Sequence, residues 1–228
     1  MPERDLNFPL RGVVLTQGGL RTNNEREQFK NERTHFRQLF GFSSGKRRLL
    51  SRRKLRNATD VIMSTHRALG VFVYSGHGTL ERGQIKLKNY NNDPMLLKDV
   101  LATVYDRAGT VERPFVFILD CCLGEGSTPN EQLQSWLKKD LEKKIPYNCV
   151  LVFSTAAGTV SNTCEFARAL RCRLADTTEQ ALSLSAFFAG MKVDGQEPWV
   201  ATNPPGLADS IIPFVRQRDG RWYWRLQR

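Results

Sequence analysis

The sequence predicts an α/β domain with a mostly parallel central sheet flanked by helices, and three observations lead there. Three short runs are apolar without alternation, "GVFVYSG" (70–76), "RPFVFILD" (113–120) and "YNCVLVFST" (147–155), which is how strands buried on both faces of a parallel sheet read. Stretches with apolar residues at helical spacing lie between and after them. The 228 residues are 40% hydrophobic, enough to bury one substantial core, and no repeat or low-complexity linker divides them. The chain, 1–228, is therefore expected to form a single domain.

In chain order, "PLRGVVLTQ" (9–17) is a β-rich run, and "TNNEREQFKNERTHFRQLFGF" follows with Phe29, Phe36, Leu39 and Phe40 at helical spacing. That helix is expected to start at Asn23 or Asn24, both good caps, and to stop at Gly41. In "GKRRLLSRRKLR" (45–56) seven of twelve residues are Lys or Arg, a pattern read as a solvated connector, with "NATDVIMSTHRAL" after it as a second helix. "DPMLLKDVLATVY", with Leu96, Leu97, Val100, Leu101 and Val104 in helical register, makes the first two buried runs a strand, helix, strand unit. "NEQLQSWLKKDLEKKI" (130–145) is a polar-faced helix and "TEQALSLSAFFAGMK" (178–192) an apolar-striped one. The tail "IIPFVRQRDGRWYWRL" reads as a hairpin turning at Asp219-Gly220.

Composition excludes several classes. Five cysteines are an odd number without a framework spacing, and no charged-then-apolar leader precedes them. A reducing, cytoplasmic setting is expected rather than a secreted disulfide scaffold. No apolar run approaches the roughly 18 residues that cross a bilayer, so no membrane partner is expected. The net charge of +11 raises nucleic acid, through the 45–56 cluster and the aromatic tail "RWYWRLQR", whose rings could stack on bases. Trp222 and Trp224 share one face of the predicted strand and read better as core, so nucleic acid is not expected as a partner.

Ligands of open α/β sheets bind beyond the carboxyl ends of the strands. Two of those ends carry reactive groups: "YSGHG" sets His77 between two glycines, and "DCC" sets Cys121 and Cys122 on a glycine-rich exit. A catalytic cysteine reacts as its thiolate and needs a base, which a histidine on the adjacent loop supplies. Gly76, Gly78 and Gly124 would let backbone N–H groups approach a substrate carbonyl. His77, Cys121 and Cys122 are too few for zinc, and adjacent cysteines lack the spacing of tetrahedral ligation. No metal or cofactor is expected. His35 and His66 lie in helical segments, and Cys149, Cys164 and Cys172 in or near core elements, so these are assigned to structure.

The segments "VFVYSGHG" and "VFILDCC" resemble the two active-site segments of the caspase-like cysteine peptidases, the superfamily of caspases, metacaspases and paracaspases. The likeness extends to "GLRTNNEREQFKNERTHFRQLFGF" and "VLVFSTAAGTVSN", from residue 10 to about 190. It implies a caspase-like three-layer sandwich, with about 1–128 resembling the large subunit and about 147–228 the small one. It implies a Cys-His endopeptidase acting on a protein or peptide substrate, and it admits a homodimer or larger assembly.

By that resemblance the nucleophile is Cys122, since the family's reactive cysteine lies two positions after the residue ending this strand. Period-two alternation near a strand end also turns Cys121 the other way. His77 would be general base and acid, and the N–H groups of Gly78 and Cys122 the oxyanion hole. Asp120 and Ser75 match the acidic primary pocket of metacaspases that accept Arg or Lys, where an acid pairs with a basic side chain. Arg21, conversely, lies where caspases carry an arginine selecting Asp, although near Thr163 their second arginine is absent. Cleavage after a basic residue is the expectation, with cleavage after Asp or a non-catalytic scaffold as alternatives. Calcium is not expected, because "TLERGQIKLKNYNND" offers one Glu and one Asp where the ion takes about six or more oxygens. The lysines of "WLKKDLEKKIP" (136–146) lie where relatives are cut between subunits, but read first as a solvated helix face.

Overall fold

The structure is a computed structural model that describes residues 8–17, 22–40, 48–64, 68–89, 91, 93–108, 114–124, 130–159, 165–176, 182–194, 196–216 and 222–226. Its centre is an eight-stranded sheet. The strands β1 (Phe8–Thr16), β3 (Leu69–Ser75), β7 (Phe115–Asp120) and β8 (Cys149–Phe153) run parallel in that spatial order. Beyond β8 lies antiparallel β9 (Trp199–Asn203). On the other side β1 takes the antiparallel hairpin of β11 (Trp222–Leu226) and β10 (Ile211–Arg216), and it also pairs with the two-residue β2 (Arg48–Leu49).

The continuous apolar runs follow from coverage on both faces. In β3, Phe72 and Tyr74 enter one core and Val71 and Val73 the other; in β7, Phe117 and Leu119 oppose Val116 and Ile118. The first core is closed by α2 (Arg52–Met63), α3 (Leu97–Ala108) and α4 (Glu131–Lys144), through Leu55, Val100 and Leu137. The second is closed by α1 (Asn23–Phe40), α5 (Glu165–Asp176) and α6 (Leu184–Ala189), through Phe36, Phe166 and Phe188, with the short α7 (Leu207–Ser210) beside them. Every residue of β3, β7 and β8 is buried. Each such Leu, Ile or Phe contributes about 1.5–3 kcal/mol by leaving water.

Several expectations are corrected. The cap of α1 is Thr22 rather than an asparagine: the Glu25 N–H donates to Thr22 Oγ1 and the Thr22 N–H to Glu25 Oε2, both at 3.1 Å, a reciprocal capping box. From residue 48 onward the basic run is not a connector but β2 and the start of α2. Ser51 caps α2 by accepting from the Lys54 N–H, Leu50 and Leu55 are fully buried, and Arg52, Arg53, Lys54 and Arg56 are exposed. The helix expected over 93–105 begins later, because residues 94–96 form β6 (Pro94–Leu96), third strand of a small sheet with β4 (Gly78–Glu81) and β5 (Gln84–Lys88). The β4–β5 turn has positive φ at both central residues, Arg82 (48°) and Gly83 (73°), the twist a two-residue hairpin needs. Of the apolar-striped helix expected over 178–192, the described residues form helix only in α6, with 182–183 and 190–192 outside it, and the sequence pattern does not anticipate α5 and β9. Cys149 is core, but Cys172 is exposed. Gly41, His66, Asp219, Gly220 and Cys164 lie outside the described residues. No helix among the described residues is long and apolar enough to cross a membrane.

Candidate active site

The site begins at one rung of the sheet. Ser75, last residue of β3, pairs in register with Asp120, last residue of β7. His77 and Cys122 each stand two residues beyond it. Alternation carries Ser75 to the α1 side, and there its Oγ donates to Glu32 Oε2 at 2.5 Å. Ser75, Asp120 and Glu32 are all buried. Three polar side chains at the carboxyl edge of a parallel sheet, next to two glycine-flanked exits, form a polar floor beneath those exits.

The His77 loop is fixed at its backbone. The His77 N–H donates to Gln17 Oε1 (2.8 Å), and its carbonyl accepts from the Tyr74 hydroxyl (2.8 Å) and the Lys88 N–H (3.0 Å). Burial pushes the Tyr74 hydroxyl well above its ordinary range, so it stays a donor. The imidazole is about half exposed, lies edge-on to Phe29 with centroids 5.5 Å apart, and has Nε2 3.6 Å from Glu25 Oε1.

The cysteine loop is fastened from the other side. The Ser154 N–H donates to the Leu119 carbonyl, the Leu123 N–H to the Thr159 carbonyl, and the Gly158 N–H to the Leu123 carbonyl, all at 3.0–3.1 Å. Gly124 lies so near Gly158 that a Cβ on it would come within 2.3 Å of the Gly158 carbonyl carbon. Cys121 points into the first core and is buried, whereas Cys122 is partly exposed. Burial, then the charges of Asp120, Cys122 and Glu32, push the Cys121 thiol well above its ordinary 9.0. That thiol is therefore neutral and unreactive near pH 7.

The two exits touch at Gly78. A Cβ built on it would lie 2.7 Å from Cys121 Sγ and 2.8 Å from the Cys122 carbonyl oxygen, so only glycine lets β4 pass this close. The structure thus joins Ser75 to Asp120, and the His77–Gly78 loop to Cys121–Cys122. Arg21 and Thr163 lie outside the described residues. Sequence reasoning missed Glu25, Glu32, Gln17 and Thr159. Only Glu25 had a local signal, as the fourth residue of the capping pattern Thr-Asn-Asn-Glu. Among the described residues no group of three or more His, Cys, Asp or Glu could hold a metal ion.

Comparison with known proteins agrees with this architecture. The model of the caspase domain matches residues 14–190. A similar solved structure is caspase-1 from Spodoptera frugiperda, at 16% identity and a TM-score of 0.55, covering 86% of this chain and 88% of that one. At that identity the likeness speaks to the fold. No curated protein matches the sequence.

Proposed function

The chain belongs to the caspase-domain family, and from that premise we propose that it is a cysteine endopeptidase using His77 and Cys122 and cleaving after arginine or lysine. The observation that carries this reading is the register of Ser75 with Asp120, from which both reactive residues are offset by two. The contrast between a buried, high-pKa Cys121 and a partly exposed Cys122 supports Cys122 as the nucleophile.

In the proposed reaction the Cys122 thiol gives its proton to His77, and the thiolate attacks the scissile carbonyl. The N–H groups of Gly78 and Cys122 receive the oxyanion. His77 returns the proton to the leaving amine, and water hydrolyses the thioester with His77 as base. No step needs a metal. Asp120, with Ser75 and its partner Glu32, gives the floor an acidic character that favours a cationic side chain before the scissile bond. The division into a large-subunit-like part to about 128 and a small-subunit-like part from about 147 belongs to the same proposal, as does assembly into a homodimer or larger complex.

Fluorogenic peptides ending in Arg, Lys or Asp test the reading on wild type, Cys122→Ala and Cys121→Ala. We expect cleavage after Arg and Lys, loss of at least about a thousandfold in Cys122→Ala, and retained activity in Cys121→Ala. Efficient cleavage only after Asp would refute the basic specificity and implicate Arg21. No labelling of Cys122 by a thiol-directed peptide electrophile would make the protein a non-catalytic scaffold.

A further inference from the structure

We infer that Glu25 is a positioning residue for His77, which orients the imidazole from the first turn of α1 by setting a carboxylate oxygen beside Nε2. The inference rests on the proposed dyad. The main chain of His77 is held by Gln17, Tyr74 and Lys88, which leaves the side-chain torsions to be set. The contacts that set them come from one face of α1, where Glu25 and Phe29 are four residues apart and hence neighbours. Phe29 presents an 83° edge contact, and Glu25 Oε1 stands 3.6 Å from Nε2.

The carboxylate is itself held. Its Oε2 accepts the Thr22 N–H while its backbone N–H donates to Thr22 Oγ1, so the capping box occupies one oxygen and leaves the other toward the ring. At 3.6 Å the contact is too long for a hydrogen bond and becomes an ion pair only when the imidazole is protonated. A carboxylate beside Nε2 favours the tautomer with hydrogen on that nitrogen, leaving Nδ1 as the base. When Cys122 transfers its proton to Nδ1, the resulting imidazolium gains an opposite charge beside it.

A rival account makes Glu25 a helix cap and nothing more. Glutamine separates the two, because Gln serves the same capping position as Glu while lacking the charge. In Glu25→Gln we expect an unchanged melting temperature, an unchanged KM, and kcat about fivefold lower, the upper end for a half-exposed ion pair. Alkylation of Cys122 by iodoacetamide at neutral pH, followed by peptide mass mapping, should slow by a similar factor and needs no substrate. His77→Ala should slow it further. Wild-type alkylation and kcat in Glu25→Gln, with slowing in His77→Ala, would overturn the role of Glu25 and leave the dyad standing. Absence of slowing in His77→Ala would overturn the dyad and the inference together. A fall in melting temperature that accounts for the lost rate would reduce Glu25 to a cap.

Discussion

Cys121 and Cys122 are neighbours in sequence with opposite surroundings, and the difference is one residue of strand phase. Cys121 continues the inward row of Phe117 and Leu119, so burial holds its thiol neutral. The alternation of the apolar run made this split legible before any coordinates. What was not legible is the set of groups that reach the site from α1, since Glu32 meets Ser75 across 43 residues of chain, and no local pattern encodes that approach. Gly78 belongs to the same scale. Replacing it with alanine would drive a methyl into the Cys121 thiol and the Cys122 carbonyl, at about 1–3 kcal/mol of stability. Urea unfolding should register that loss, and the same variant should lose peptide cleavage even at temperatures where it stays folded.

At the scale of elements, the strands buried on both faces and the tail hairpin agree with the sequence reading, whereas α2, α5, β9 and the small β4–β5–β6 sheet do not. β3, β7 and β8 announced themselves because burial on both faces leaves no polar position to confuse the pattern. α2 was misplaced because arginines dominated the reading, although Leu55, Ala58 and Ile62 face the core at helical spacing. α5 carries Phe166, Leu170 and Leu174 four apart, a stripe passed over among its arginines. The β4–β5 turn was hidden because Arg82 stands where Asn or Asp usually marks a positive φ. Arg82→Asn should therefore raise stability by about 0.5–1 kcal/mol, seen as a higher urea midpoint with an unchanged slope. α4 places the lysines of 136–146 on a helix anchored by buried Leu137, while Lys144 pairs with Asp140 at 2.6 Å. This favours the solvated-face reading over a cleavage linker, because an intact helix does not present an extended backbone to a peptidase.

For the molecule as a whole, one mostly parallel sheet sandwiched between two helix layers accounts for both the core and the position of the site. It also fixes an alkaline limit. Cys121, Cys149 and Tyr74 are each pushed above their ordinary values of 9.0, 9.0 and 10.0, chiefly by burial. Their contribution is fully present below the ordinary values and is lost as pH rises toward the folded ones, because only the unfolded chain can release those protons. Each group should then remove about 1.4 kcal/mol per pH unit above its unfolded pKa. Denaturant midpoints measured from about pH 8 to about 10.5 should fall steeply above about 9, and less steeply in Cys149→Ala.

The pairing of β1 with β11, in which the backbone of residue Phe8 is in register with that of Trp224, has a consequence for how the protein is made. β1 sits between β3 and β11, so it keeps one edge without that partner until residues 222–226 leave the ribosome. Pairing over so long a loop is entropically slow. The site-bearing strands β3 and β7 are made well before that closure, but the sheet that holds them is complete only once β11 has been made. On this topology, a nascent chain stalled before β11 would carry the candidate site on a sheet whose β1 still lacks that neighbour.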